Sequence, residues 1–438
     1  MSFVKKLLQD VPLPDMVKIK QHFPSPEEIT DIPLTIHQQF SQPDIRKTIK
    51  PGMTIAVGVG SRGVDKIAEI ARAVVAELKA LGAHPFAVPA MGSHGGATAA
   101  GQLHVLENLG ITEATLGCEI RSSMETVKVG EIENGLDVLM DKNAMQADGI
   151  IAINRIKAHN AFTAPMESGI LKMITIGFGK QEGADACHTY GFGNMAKNIL
   201  DMARVKIANT PFLFGVGTIE NAYDKVVKIE AIPANRLEER EKALLAESKS
   251  YFPRIMFENV DVVIIDLMGK IYSGGGMDGH VMGRAPTPYV EPIASIRPDR
   301  IAVLDLHEQS GGNATGMGWA DYCTQRLFDK VDLQETYPNV ITSRLARDGF
   351  VPVILSSDKE AIQAALKTCI ILDGRTEIRM VRIANTLHID DIYISANMLD
   401  DAMKNENIEI ISGPAQFQFD EKDNLVDLGN ISGKDKHH

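Results

Sequence analysis

Residues 53–59 (MTIAVGV) are a short apolar run closed by glycine, the pattern of a buried strand. The next stretch, 64–81, carries apolar side chains at Val64, Ile67, Ile70, Ala71, Val74, Val75, Leu78 and Leu81. That is helical spacing, and Gly82 terminates it. A second strand is predicted over 84–88, a second helix over 98–109 and a further strand over 149–154 (GIIAIN). A comparable series of apolar runs occupies 260–267, 301–306, 351–355 and 369–372. Strands alternating with helices at these lengths imply βαβ units. The predicted architecture is therefore α/β: two Rossmann-like domains with mainly parallel sheets and an interdomain cleft. Residues 1–235 form the expected cofactor-binding domain and 236–404 the second, with the charged helical stretch 234–249 as connector. The runs 389–395 and 408–411 either close the second domain or carry the segment from about 405 to 438 back to the first.

A chain of 438 residues is longer than one core usually serves, in keeping with two domains. Its 44% apolar and 23% charged residues are ordinary for a globular protein. The net charge of −12 comes with no basic stripe, which argues against a nucleic-acid partner. No apolar run approaches the roughly 20 residues of a membrane span. The first residues, MSFVKKLLQDVPLPD, lack the apolar core of a secretory signal, so a cytoplasmic location is expected. Cys118, Cys187, Cys323 and Cys369 are scattered and read as reduced thiols.

Ligands of open α/β sheets bind outside the carboxyl ends of the strands. In the first domain that rule selects the loops 58–63, 90–98 and 155–166. In the second it selects 269–284 and 307–318. Gly58-Val59-Gly60-Ser61-Arg62-Gly63 has the G-x-G-x-x-G form between strand and helix, which suits a phosphate or a tight turn. A dinucleotide site would also need an acid after the next strand, but Val88-Pro89-Ala90 supplies none. His94 stands among small residues in Ala90-Met91-Gly92-Ser93-His94-Gly95-Gly96, where a ligand can approach an imidazole able to exchange protons. Arg155, Lys157 and His159 follow a buried strand, and either cation suits a carboxylate or a solvated rim. Lys172 precedes the apolar run 173–178, a setting that desolvates an amine. His188, in Cys187-His188-Thr189-Tyr190, is a metal ligand or a turn residue. Beyond them, the glycine-rich 273–280 is flanked by Lys270 and Arg284, cations that could reach a substrate. A polar structured lid is the competing explanation.

Taken together, these loops resemble the lactate racemase family, the nickel-pincer-nucleotide-dependent 2-hydroxyacid racemases and epimerases, over about residues 50 to 400. The family's Thr-Arg phosphate loop is matched by Ser61-Arg62, and its Gly-Thr-His by Gly92-Ser93-His94. Its second catalytic histidine is matched by His159, and its Ser-Gly-x-x-Lys by Ser168-Gly169-Ile170-Leu171-Lys172. Its nickel-ligand histidine is matched by His188. The family's aspartate before the loop arginine is replaced by Val59. Its substrate-orienting Gln and Lys have no counterpart around Met282-Gly283-Arg284, which marks a divergent branch.

The resemblance implies inversion of the C2 centre of a 2-hydroxy acid by reversible hydride transfer. The acceptor is nickel pyridinium-3,5-bisthiocarboxylic acid mononucleotide, the nickel-pincer nucleotide. His94 and His159 become alternating acid and base. Ser61, Arg62, Gly63 and Gly169 help hold the cofactor, Lys172 tethers it and His188 ligates nickel. Arg155, Lys157 and Arg284 become substrate-binding cations. Implied partners are a small hydroxy acid and cofactor-synthesis proteins, with neither nucleic acid nor membrane; a homo-oligomer is compatible. Two alternatives remain open on the sequence. One is an NAD-linked dehydrogenase using the glycine loop, the other a non-catalytic nucleotide- or metal-binding protein.

Overall fold

A computed structural model describes residues 3–61, 64–371 and 373–431. The chain divides into two compact units, one of residues 24–252, the other of the chain before Pro24 and after Phe252. The first strand, β1 (Met16–Gln21), belongs to the latter.

The unit of residues 24–252 is built on β2 (Thr54–Val59), β3 (His84–Pro89), β6 (Gly149–Arg155), β7 (Phe212–Glu220) and β8 (Val226–Pro233). A separate hairpin is formed by β4 (Thr126–Glu131) and β5 (Asp137–Asp141). The five strands lie in the order β3-β2-β6-β7-β8, parallel except for the antiparallel edge strand β8. Both faces are covered, and β6 shows it directly. Ile150 and Ala152 enter one apolar cluster, Ile151 and Ile153 the other. A two-residue period between two dry faces is why the sequence reads as an unbroken apolar run. The helix Ile67–Ala80 covers one face with Ile67, Ile70, Ala71, Val74 and Leu78.

The other unit holds a mixed sheet of β1, β9 (Val262–Met268), β10 (Arg300–Leu306), β11 (Tyr322–Thr324), β12 (Val353–Leu355), β13 (Met380–Ile383), β14 (Asp391–Ser395) and β15 (Ile408–Ile410). Their order is β12-β11-β10-β9-β13-β14-β1-β15. The half from β12 to β13 is parallel and the remainder antiparallel.

The units differ from the partition expected at 235/236. The helix Leu237–Ser250 is no connector: Leu237, Leu244 and Leu245 pack into the core of the five-stranded unit. The last strand does not return to that unit, because β15 pairs antiparallel with β1. The apolar run at 369–372 forms no strand over its described residues. The place beside β9 is taken by β13 instead.

Candidate active site

Three loops of the five-stranded unit meet at the carboxyl ends of β2, β3 and β6. Ser61, just past β2, is hydrogen-bonded through its hydroxyl to Nδ1 of His94, in the loop after β3. Two backbone bonds hold that second loop. The Ala90 N–H donates to the Val59 carbonyl at 2.8 Å, and Gly92 N–H to the Gly177 carbonyl at 3.1 Å. From the end of β6, the Asn154 amide donates to the Gly169 carbonyl at 2.7 Å, which brings in the segment bearing Lys172. His94 is exposed, while His159, Lys172 and His188 are half-buried.

The His159 loop is organised by Glu167, whose side chain is fully buried. Its carboxylate accepts the backbone N–H of His159 at 2.7 Å and of Ala164 at 3.0 Å, and Lys249 pairs with it at 2.5 Å. The ring of His159 stacks on Phe162 with centroids 4.5 Å apart. Its Nδ1 receives the Ala161 N–H at 3.0 Å. A backbone N–H can only donate, so neutral His159 carries its proton on Nε2.

His188 has the opposite arrangement. Its Nδ1 lies 2.6 Å from the Ala184 carbonyl, one turn back on the helix Lys180–His188. A carbonyl only accepts, so the neutral ring is protonated at Nδ1 and keeps its lone pair at Nε2. Metal-bound histidines commonly have this arrangement, with the second nitrogen donating to a backbone carbonyl. His188 and His159 are brought together by one side chain. The ring of Phe192 lies 6.0 Å from His188 and 6.2 Å from His159. No group of three or more His, Cys, Asp or Glu converges as a metal site among the described residues, so a bound metal would need ligands from elsewhere.

Lys172 closes the short helix Ile170–Lys172, which runs into a π-helical turn, Met173–Gly177. Such turns loosen the regular ladder and recur at functional sites. Lys206, buried on the helix Phe192–Asn209, donates to the Ile174 and Thr175 carbonyls at 2.8 and 2.9 Å. Burial lowers its pKa to about 7, and a neutral amine has two hydrogens for those two acceptors. The ammonium of Lys172 is close enough to oppose the rise that burial imposes on Cys187, whose thiol is pushed up to about 12. Beside His188, Cys187 is therefore a packed, unreactive thiol.

Glu241 also supports Lys172. It interrupts the apolar face of Leu237–Ser250 and accepts the Leu171 N–H at 3.1 Å. Its carboxyl group fills the space that a side chain on Gly169 would need, so the glycine of Ser168-Gly169 is required by close approach. Burial raises this carboxyl to about 7, against the hydrogen bonds it accepts from Leu171 and Ile170. Neither Glu167 nor Glu241 was singled out from the sequence. The available signal was a glutamate on the apolar face of an otherwise amphipathic helix.

The three expected substrate cations sit in different settings. Arg155 is ion-paired with Glu220 on the neighbouring strand β7. Lys157 forms an isolated antiparallel bridge with Ser168, its N–H donating at 2.8 Å, and this joins the His159 loop to the Lys172 segment. Arg284 belongs to the other unit. Its guanidinium donates to the Trp319, Pro298 and Asp299 carbonyls at 2.9, 3.3 and 3.0 Å, and to Asp321 at 2.8 Å. These bonds make Arg284 a clamp on its own unit's loops. Arg62 and Gly63 lie outside the described residues. Gly58 has a packing reason, because a side chain there would overlap the ring of Phe178. In the eight-stranded unit, Tyr272 lies edge-on to His307 and His388 at 5.5 and 6.4 Å.

Residues 3–199 match the family model of the lactate racemase N-terminal domain. The matched span contains Ser61, His94, His159, Lys172 and His188, the positions through which the sequence resembles lactate racemases. Among solved structures, the chain is similar to a lactate racemase apoprotein from Thermoanaerobacterium thermosaccharolyticum. Identity is 12%, coverage is 89% of this chain and 97% of that one, and the TM-score is 0.48. It is also similar to a structural-genomics protein from Thermotoga maritima, at 13% identity over 64% of this chain and 71% of that one, with a TM-score of 0.46. No curated protein sequence matches the chain significantly. No helix among the described residues is long and apolar enough to cross a membrane.

Proposed function

We propose that this chain is a racemase or epimerase of a 2-hydroxy acid, working with a nickel-pincer nucleotide. The observation that carries the proposal is the opposite wiring of two imidazoles packed on Phe192. Neutral His188 has its lone pair at Nε2, the nitrogen that would ligate a metal, and neutral His159 has its proton there. This donor set fits the cofactor. Lys172 would hold it covalently and Nε2 of His188 would ligate its nickel. When bound, the cofactor supplies a reversible hydride acceptor, which spares the reaction a carbanion beside a carboxylate.

The chain's residues then have proton work to do. The two enantiomers present the C2 hydroxyl on opposite sides, so two imidazoles serve better than one. Nδ1 of His94 is bonded to a hydroxyl, which both donates and accepts, so Ser61 can serve either tautomer of the ring. His94 therefore enters as the base without losing its partner. His159 enters as a hydrogen-bond donor at Nε2. To take a proton there, its neutral ring must first move its own proton to Nδ1 and give up the Ala161 N–H. The two histidines are thus unequal in the resting chain. Lys157, on the His159 loop, and Arg155, which is ion-paired with Glu220, are the cations we assign to the substrate carboxylate.

The test is interconversion of enantiomers across a panel of 2-hydroxy acids, followed by chiral chromatography on cofactor-loaded protein. His94→Ala and His159→Ala are each expected to lower the rate by about 10²- to 10⁴-fold with cofactor retained. Full activity in either variant overturns the two-base reading.

A further inference from the structure

The five-stranded unit contains a buried polar chain that the proposed reaction does not use. Lys180 is fully buried; its ammonium donates to the Pro89 carbonyl at 2.6 Å and to Oε1 of Gln102 at 3.2 Å, and it is ion-paired with Oδ2 of Asp141 at 2.8 Å. Gln102, also fully buried, uses its amide nitrogen on the other side. It donates to the Gly92 carbonyl at 2.9 Å and the His94 carbonyl at 3.3 Å. The far end is fixed as well, because Oδ1 of Asp141 accepts the Ala144 N–H at 2.9 Å.

Stability alone does not account for this chain. Replacing a buried ion pair by apolar side chains of similar volume is commonly neutral or stabilising. Lys180 also has a left-handed backbone, with φ of 56°, a conformation uncommon for residues other than glycine. Two unfavourable features at one residue point to a task beyond packing. The location supplies one. Lys180 opens the helix that ends at His188, while Gln102 grips the two carbonyls that flank Ser93 in the His94 loop.

We propose that Asp141, Lys180 and Gln102 form a positioning relay that fixes the His94 loop to the base of the helix carrying His188. None of the three touches the reacting atoms. The relay sets where the His94 backbone sits, and the Ser61 hydroxyl then orients the ring. As a refinement of the proposed reaction it rests on that reading for its purpose, but not for its geometry.

The experiment uses the full chain with three substitutions: Gln102→Leu, Gln102→Glu and the paired Lys180→Met with Asp141→Leu. Gln102→Glu keeps an oxygen for Lys180 and loses both donors to the loop. The paired change removes both buried charges together. The primary readout is amide hydrogen exchange without cofactor. Exchange at residues 90–98 should quicken by about tenfold or more in each variant, with β2, β3 and β6 still protected. On loaded protein, kcat should fall by about tenfold with KM little changed. Unchanged exchange at 90–98 in the variants that fold overturns the relay, as does exchange that quickens evenly across the unit. If His94→Ala leaves interconversion intact while Gln102→Leu loosens the loop, the reaction reading fails and the relay stands. Should Gln102→Leu fail to fold, Gln102→Glu and the paired variant decide the matter by the same measurement.

Discussion

The hydroxyl of Ser61 and Nδ1 of His94 are joined by a hydrogen bond that ties the loop after β2 to the loop after β3. The serine expected to hold phosphate thus also holds the imidazole expected to move protons. Ser61→Ala should cost the proposed reaction about 2- to 10-fold, the worth of one hydrogen bond, with the folding midpoint unchanged. Steady-state kinetics beside a thermal melt check this. Unchanged turnover would leave the bond without a role in orienting His94.

Glu241 predicts a slope in stability against pH. The ordinary value for a glutamate is 4.5 and burial raises the folded value to about 7, so the folded chain holds this proton more tightly than the unfolded one. The associated stabilisation is present below about pH 4.5 and is lost as pH rises through about 7, a change on the order of 3 kcal/mol. Lys206 acts in the next window with the opposite sign. Its amine falls from 10.5 to about 7, so its contribution to stability rises with pH between those values. Glu241→Gln should flatten the acid-side slope in urea unfolding measured from about pH 4.5 to 7. A variant with the parent's slope would show that another group titrates.

Gly58 separates two explanations of the glycine-rich loop. Its missing side chain leaves room for the Phe178 ring, so Gly58→Ala should destabilise the unit by about 1–3 kcal/mol through overpacking. Adding Phe178→Leu should recover part of that loss, as expected for two residues in contact. Recovery read by denaturant unfolding would assign this glycine to packing. A Gly58→Ala chain as stable as the parent would return it to ligand binding.

Much of the fold was legible because parallel strands buried on both faces leave continuous apolar runs, as β2 and β6 do. The same reasoning misplaced the run at 369–372, since an apolar run alone does not say whether it pairs. It also missed β1, whose polar Lys18, Lys20 and Gln21 dilute the pattern. The candidate histidines and Lys172 were legible from their loops, because strand ends and small residues mark sites in the chain itself. Their supports were not. Glu167, Glu241, Gln102 and Lys180 act through contacts up to 91 positions distant in sequence, and local spacing carries little trace of such contacts. The acceptors of Arg284 were not legible either: its place beside a glycine-rich loop carries no sign of the carbonyls and the carboxylate that engage it.

The central claim is that Lys172 and His188 share one cofactor. Intact-mass and metal analysis of chain produced together with the cofactor-synthesis enzymes tests it most directly. A mass adduct that is lost in Lys172→Ala is predicted, with stoichiometric nickel that is lost in His188→Ala while the adduct remains. An unmodified chain without nickel, from cells shown to make the cofactor, would contradict the account.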